Sequence, residues 1–221
     1  ELSINKGARY IDATLGFGGH SEAILEKGGE LLAIEADSEM LSFAEERLSK
    51  YCPTLVRGNF KDIEKIAIAH GFSPVQGVLF DLGISNLHYT TLARGFSFKN
   101  VDDPLDMRIA PLDTAVTAAT LLNTLSVSQL TELFTPVLGR NAARVSRFID
   151  HARAQKPFET VGDLTHAVHH ELSEVFLALR IAVNSEFDSI EEGITGAFSI
   201  LKPGGKLVVI SFHSLEDKKV V

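Results

Sequence analysis

The sequence predicts an α/β fold: a mostly parallel sheet with helices on both faces, interrupted by a helical insertion. Three observations carry that reading. Apolar segments alternate with helical patterns through the first third of the chain, and a glycine-rich turn joins the first strand to the first helix. The alternation then stops, and a clear strand returns only near the end, in "KLVVISF".

The elements follow in order. "RYIDATL" (9–15) reads as a strand and "SEAILEKG" as a helix closing at Gly28. "ELLAIEA" (30–36) is a second strand; "SEMLSFAEERLSKY" is a helix with Ser38 as its expected N-cap. "TLVRGNF", the helical "KDIEKIAIAHG" and the strand "GVLFDLG" (77–83) complete a βαβαβαβ series. Residues 84–113 are rich in loop signals, and 114–174 look helical with no convincing strand. The run "VFLALRIAVNSEFDSIEEGITGAFSIL" reads as one long helix, followed by a Lys202-Pro203-Gly204-Gly205 turn and the last strand (206–212). The expected domains are therefore 1–113 and 175–221 for the sheet core, with 114–174 as a helical insertion.

Composition narrows the function classes. A chain of 221 residues can bury a sizeable core. No apolar run approaches the roughly 18 residues of a membrane span, and nothing resembles a signal peptide, so a cytoplasmic protein is expected, without membrane partners. One cysteine, Cys52, excludes an internal disulfide and a cysteine-based zinc cluster. His166, His169 and His170 share helical spacing but lack a ligand signature, so no metal is expected. The net charge of −8 weighs against non-specific nucleic-acid binding. Charge is unevenly spread, however: 140–156 holds Arg140, Arg144, Arg147, Arg153 and Lys156 against Asp150 alone, while 157–201 holds eight acids and only Arg180. Helical spacing puts Val145, Phe148, Ile149 and Ala152 on a core face and Arg140, Arg144, Arg147 and His151 on another, a candidate surface for RNA phosphates.

The glycine turn restricts the cofactor. A dinucleotide fold wants G-x-G-x-x-G, whereas the frame from Gly16 reads G-F-G-G-H-S, with Ser21 in the third glycine position. S-adenosylmethionine has no pyrophosphate to cradle, yet its ribose still calls for an acid at the end of the second strand. Glu35, 19 residues after Gly16, stands there, with Asp37 as the alternative. Asp81 ends the fourth strand, where open α/β sheets place ligands.

Longer strings then point to a family. "YIDATLGFGGHSEAIL", "LLAIEADSEML", "FDLGIS", "RGFSF", "DPLDMR", "LALRIAVNSE" and "LKPGGKLVVISFHSLED", in this order, resemble the bacterial small-subunit rRNA (cytosine-N4)-methyltransferase family known as RsmH or MraW. The resemblance covers nearly the whole chain. It implies a class I methyltransferase (Rossmann-like) sheet, S-adenosylmethionine as cofactor and small-subunit 16S rRNA as partner. Carried over by position, the cofactor would meet Gly18, Gly19, His20, Glu35, Phe60, Asp81 and His88. Phe60 would flank the adenine, with ordinary core packing as the competing reading. Departures are local. Asn86-Leu87-His88-Tyr89-Thr90-Thr91 replaces the usual S-P-Q-L-D-D, so His88 stands for a glutamine. "PVLGRN" replaces Y-G-E-E, and the H-P-A-T-R stretch is missing around 165–175. A class I fold also continues past its fifth strand, so a chain stopping at Val221 reads as a fragment; a homodimer stays open.

Transfer to the exocyclic amine of cytosine is a direct displacement by a poor nucleophile, and it needs positioning and an N–H acceptor. Asp81 is the first candidate for that acceptor, with Asp106 and Arg108 of "DPLDMR" as further candidates to orient the base or its phosphates. The Asp106–Arg108 pair equally suits an internal brace. Where many amino-methyltransferases carry D/N-P-P-Y, this chain has Asp81-Leu82-Gly83. A cytosine-C5 mechanism would need a cysteine nucleophile, and Cys52 lies far from the expected cleft in topology. Besides a methyltransferase, the sequence leaves two readings open: an NAD-dependent oxidoreductase, and a SAM-sensing RNA-binding protein without activity.

Overall fold

The computed structural model describes residues 2–221. Five parallel strands form its sheet: β1 (Arg9–Asp12), β2 (Glu30–Glu35), β3 (Thr54–Arg57), β4 (Val75–Asp81) and β5 (Leu201–Ile210), in the order β3-β2-β1-β4-β5. Three helices link the first four strands: α1 (Gly19–Glu26), α2 (Ser38–Leu48) and α3 (Ile63–Ala69). Between β4 and β5 come α4 (Asn86–Thr90), α5 (Ala118–Thr124), α6 (Val127–Leu138), α7 (Ala142–Arg153), α8 (Val161–Ala167), α9 (Leu172–Asn184) and α10 (Glu186–Ile200); α11 (Ser214–Val220) follows β5. The α/β sheet and the helical stretch after its fourth strand are both as the sequence predicts.

The sheet is doubly wound because its strands alternate two apolar faces. Ile11, Leu32, Ile34, Val78 and Phe80 pack with Ile63 and Ala67 of α3 and with Ile190, Ile194 and Ala197 of α10. Their chain neighbours Tyr10, Leu31 and Ala33 point the other way, onto Ile24 of α1 and Ala44 and Leu48 of α2. A period of two with both faces apolar is what a sheet covered by helices on both sides requires.

Several local expectations are corrected. Asp37, not Ser38, caps α2: its carboxylate accepts the Glu39 N–H at 2.9 Å. An acidic cap also favours the positive end of the helix dipole. The expected long helix is two helices, α9 and α10, broken at Ser185, whose φ of 48° no α-helix tolerates. The turn expected at 202–205 lies inside β5, where pairing passes from Val75↔Leu201 to Gly77↔Lys206 and leaves the intervening residues bulged.

The chain forms two compact units, residues 1–84 with 187–221 and residues 85–186. These boundaries differ from the expected 113 and 174, because the loop 85–113 and helix α9 hold to the helical unit by specific bonds. The Leu105 N–H donates to Glu159 O at 2.9 Å, the Met107 N–H to Arg94 O at 2.8 Å, and the Asn184 side chain bonds Met107 O and the Ile109 N–H at 2.8 Å each. Gly95, in "RGFSF", has φ +74°, and a Cβ there would collide with Pro104 O, so only glycine fits.

In the helical unit, Leu130, Phe134, Val145, Ile149, Leu164, Val175 and Leu179 are buried. Phe148 is not: it is 51% exposed, contrary to its expected place on the core face of α7. The charge reversal along the sequence also finds part of its reason here. Arg144 pairs with Glu171, Lys156 with Asp163, and Arg153 reaches Asp150 and the carbonyls of Leu122 and Leu125. Basic and acidic stretches are thus tied together at several points, and Arg140 and Arg147 remain exposed on this segment.

Candidate functional site

The chain runs to opposite sides from β1 and β4, which are neighbours in the sheet. In open α/β sheets that switch point opens a crevice beyond the carboxyl ends of the strands, and ligands bind there. The glycine turn leaves β1 at this end and Asp81 closes β4 beside it, so topology alone brings these two sequence motifs together.

The turn is held by carboxylates. Glu35, 9% exposed, accepts the Gly16 N–H through Oε2 and the Asp37 N–H through Oε1, both at 2.9 Å. It therefore fixes the glycine turn while standing at the end of β2, where a ribose-binding acid is expected. Asp37 is buried and committed to capping α2. Gly18 lies at φ +82°, and a Cβ there would meet Leu48 Cδ1 at 3.3 Å. No side chain caps α1, and no atom among the described residues lies within 4 Å of a Cβ built on Gly19. An open helix start with its first amides uncommitted is a natural cradle for a polar ligand.

Sequence reasoning missed two further members of this turn. Asp12 is buried, its Oδ2 accepting the Ser21 hydroxyl at 2.8 Å and its Oδ1 the Thr14 N–H at 3.2 Å. Burial raises its carboxyl above the ordinary value, although these hydrogen bonds oppose the rise. Thr14 Oγ1 in turn accepts the Asp81 N–H at 2.6 Å, tying the turn to β4. Ser21 thus occupies the third glycine position of a dinucleotide motif for its own reason, as the partner of Asp12. The available signal was the pairing of "DAT" with that serine.

Asp81 is the chemically unusual residue. Its Oδ2 lies 3.5 Å from His20 Nε2, while its Oδ1 is buried without a hydrogen-bond partner among the described residues. Leaving a buried acceptor unpaired costs about 1–3 kcal/mol. A ligand donor entering the crevice would remove that cost. S-adenosylmethionine brings donors of the right kind, an ammonium group and two ribose hydroxyls, to a crevice whose walls offer Asp81 and Glu35. These residues fit the cofactor.

The other expected site residues divide. Phe60 is half-buried on the turn after β3, edge-on to Phe80 with centroids 5.5 Å apart and close against Gly193 of α10, so much of its ring is core. His88, in α4 of the helical unit, is buried and edge-on to Phe96 with centroids at 5.5 Å. Asp106 and Arg108 form a bidentate pair with two 2.7 Å bonds, and Arg108 also donates to Thr114 O at 2.9 Å. Burial alone would push the Asp106 carboxyl up; the Arg108 guanidinium and amide, with Arg94 nearby, outweigh it and hold the group below its ordinary value. The bonds brace the loop, as one of the two expected readings of the pair has it.

A depressed carboxylate contributes stability above its unfolded pKa, and the contribution is lost as pH falls through the folded pKa. Asp106→Asn should therefore destabilise the helical unit by about 1.5–3 kcal/mol at neutral pH, the range for hydrogen bonds to charged groups. Wild type and variant should converge below the ordinary carboxylate range. Urea denaturation at both pH values checks this, and equal stability at neutral pH would remove the brace from the account.

The model of the MraW methylase family matches residues 1–221. The protein called ribosomal RNA small subunit methyltransferase H in Thermomicrobium roseum is 43% identical over 235 residues, covering 99% of this chain and 72% of the relative. Proteins of the same name in Dehalococcoides mccartyi and Carboxydothermus hydrogenoformans are 41% and 39% identical, each over 99% of this chain and over 66% and 75% of their own lengths. The chain thus spans about two thirds to three quarters of the length of these relatives. With the glycine turn, the strand-end carboxylates and these matches together, the chain belongs to the MraW methylase family.

Proposed function

We propose that this chain transfers a methyl group from S-adenosylmethionine to the exocyclic N4 of a cytidine in the decoding region of small-subunit rRNA, in the bacterial cytoplasm. The observation that carries the reading is the buried, partnerless oxygen of Asp81 beside the glycine turn, in a chain of a methylase family. Bound at the turn, S-adenosylmethionine supplies an electrophilic methyl group on a sulfonium. Glu35 holds the ribose and fixes the turn. The cytosine amine, whose lone pair is delocalised into the ring, would be the nucleophile toward that methyl group, and the electron pair of the S–C bond would leave with sulfur. Asp81 accepts an N–H of the amine as positive charge develops there, and takes the proton or passes it to water. Among the described residues no helix is long and apolar enough to cross a membrane, which suits a ribosomal substrate.

Methyl transfer from labelled S-adenosylmethionine to small subunits from a strain lacking this modification tests the proposal. Label should enter the rRNA. Binding of S-adenosylmethionine without turnover would favour a sensing RNA-binding protein, and binding of NAD instead would favour an oxidoreductase.

The helical unit supplies the RNA-reading surface in this proposal. Arg140 and Arg147 are exposed without an ion-pair partner among the described residues, and the exposed Phe148 adjoins Arg147 on α7. Two cations with an exposed aromatic beside one of them suit single-stranded RNA. Arg144 is set aside, because Glu171 already neutralises it. Replacing Arg140 and Arg147 together by alanine should flatten the log–log salt dependence of small-subunit binding by about 1.4–1.8 units, at roughly 0.7–0.9 per phosphate. Affinity for S-adenosylmethionine should stay unchanged. An unaltered slope would place the RNA surface elsewhere.

A further inference from the structure

Nothing in the turn after β4 can hold a planar base beside Asp81, since Leu82-Gly83-Ile84 carries no aromatic side chain. The next strand does. Asp81 pairs with Ile210 in the parallel register, and the Leu82 N–H donates to Ile210 O at 2.9 Å. Phe212 follows two residues later, no more than about 7 Å further along the chain. Its ring comes within 3.8 Å of where a Gly83 side chain would begin, and it is 71% exposed. A phenylalanine this open, at the ligand-binding end of a sheet, has the chemistry of a stacking platform, and among the described residues it belongs to neither core cluster of the sheet.

The backbone under Phe212 is fixed unusually well. Glu216 is buried in the first turn of α11, and its Oε2 accepts the Phe212 N–H at 2.7 Å and the His213 N–H at 3.3 Å. The His213 side chain completes a capping box with Glu216, and the Ser211 hydroxyl bonds Asp217. A buried carboxylate spent on two adjacent amides holds the ring's attachment point rigid while the ring itself stays open. That is the preorganisation a positioned base requires.

We infer that Phe212 stacks on the target cytosine and sets its exocyclic amine against Asp81. The inference rests on the proposed transfer to cytidine and names the residue that positions the base. The stacked face selects for a planar ring, and Asp81 selects for an N–H donor on its edge. Together they admit a base with an exocyclic amine and leave uracil, which has a carbonyl in place of cytosine's amine, without a donor at that place.

The test uses the absence of tryptophan from the chain. Phe212→Trp installs a single indole reporter at this position, and both cytidine monophosphate and undermethylated small subunits should quench its fluorescence, with methylation retained. Phe212→Ala should lower kcat/KM for small subunits about 5- to 150-fold, the range for losing one stacked base, and leave affinity for S-adenosylmethionine as it was. Phe212→Leu, apolar but without a π face, should be nearly as impaired as the alanine variant. Full activity in Phe212→Leu, or no quenching in Phe212→Trp, would show that the ring packs against protein, and would overturn the inference. Quenching without methylation in wild type would instead keep the stacking and sink the proposed transfer.

Discussion

Asp81→Asn is expected to lower turnover on small subunits by about 10²- to 10⁴-fold, the range for a positioned group that takes a proton in the transition state. Asparagine keeps the volume, one carbonyl acceptor and the backbone bond from Asp81 N–H to Thr14 Oγ1. What it loses is the negative charge facing the amine as that nitrogen becomes cationic. The oxygen concerned is already buried without a donor, so the wild-type site carries a ready acceptor at its own energetic cost. Single-turnover kinetics at saturating S-adenosylmethionine separate two roles. A loss that persists at saturation belongs to the chemical step. A loss that disappears at saturation would make Asp81 a cofactor-binding residue alone, and the N–H acceptor would have to be sought elsewhere.

Glu35→Ala has the second-largest expected effect, because it removes two functions at once. The proposed ribose contact, a charge-assisted one, would contribute about 1.5–3 kcal/mol, so affinity for S-adenosylmethionine should fall by about 10- to 150-fold. The Gly16 and Asp37 amides lose their acceptor in the same change, which loosens the glycine turn and adds to the loss. Asp37→Ala is the control. It should cost about 1 kcal/mol of stability through the cap of α2 and leave cofactor affinity nearly unchanged. Calorimetry in which Asp37→Ala weakens binding more than Glu35→Ala would exchange the two assignments.

The sheet was legible from the chain because its period-two pattern is apolar on both faces and each strand is followed by a helix with its own signals. The placing of Glu35 and Asp81 as strand-end carboxylates was legible for a related reason: each closes an apolar strand, and the ends of parallel strands are where open α/β sheets place ligands. What escaped the sequence depends on contacts distant along the chain. The break at Ser185 left no proline or glycine to mark it. Arg144 reads as a free phosphate ligand until Glu171, 27 residues on, is seen against it. Phe148 fits the apolar stripe of α7 by spacing, yet the helices packed there leave it exposed. The Asp12–Ser21 bond was hidden because a buried aspartate in a strand looks like any other polar residue until its partner folds over it.

The most direct measurement is the identity of the methylated nucleoside. After reaction of undermethylated small subunits with S-adenosylmethionine, the rRNA is digested to nucleosides and resolved by mass spectrometry against authentic standards. N4-methylcytidine is expected, formed by wild type and strongly reduced with Asp81→Asn. Methyl groups found instead on cytosine C5, on a ribose oxygen or on another base would contradict a direct displacement by the exocyclic amine beside Asp81.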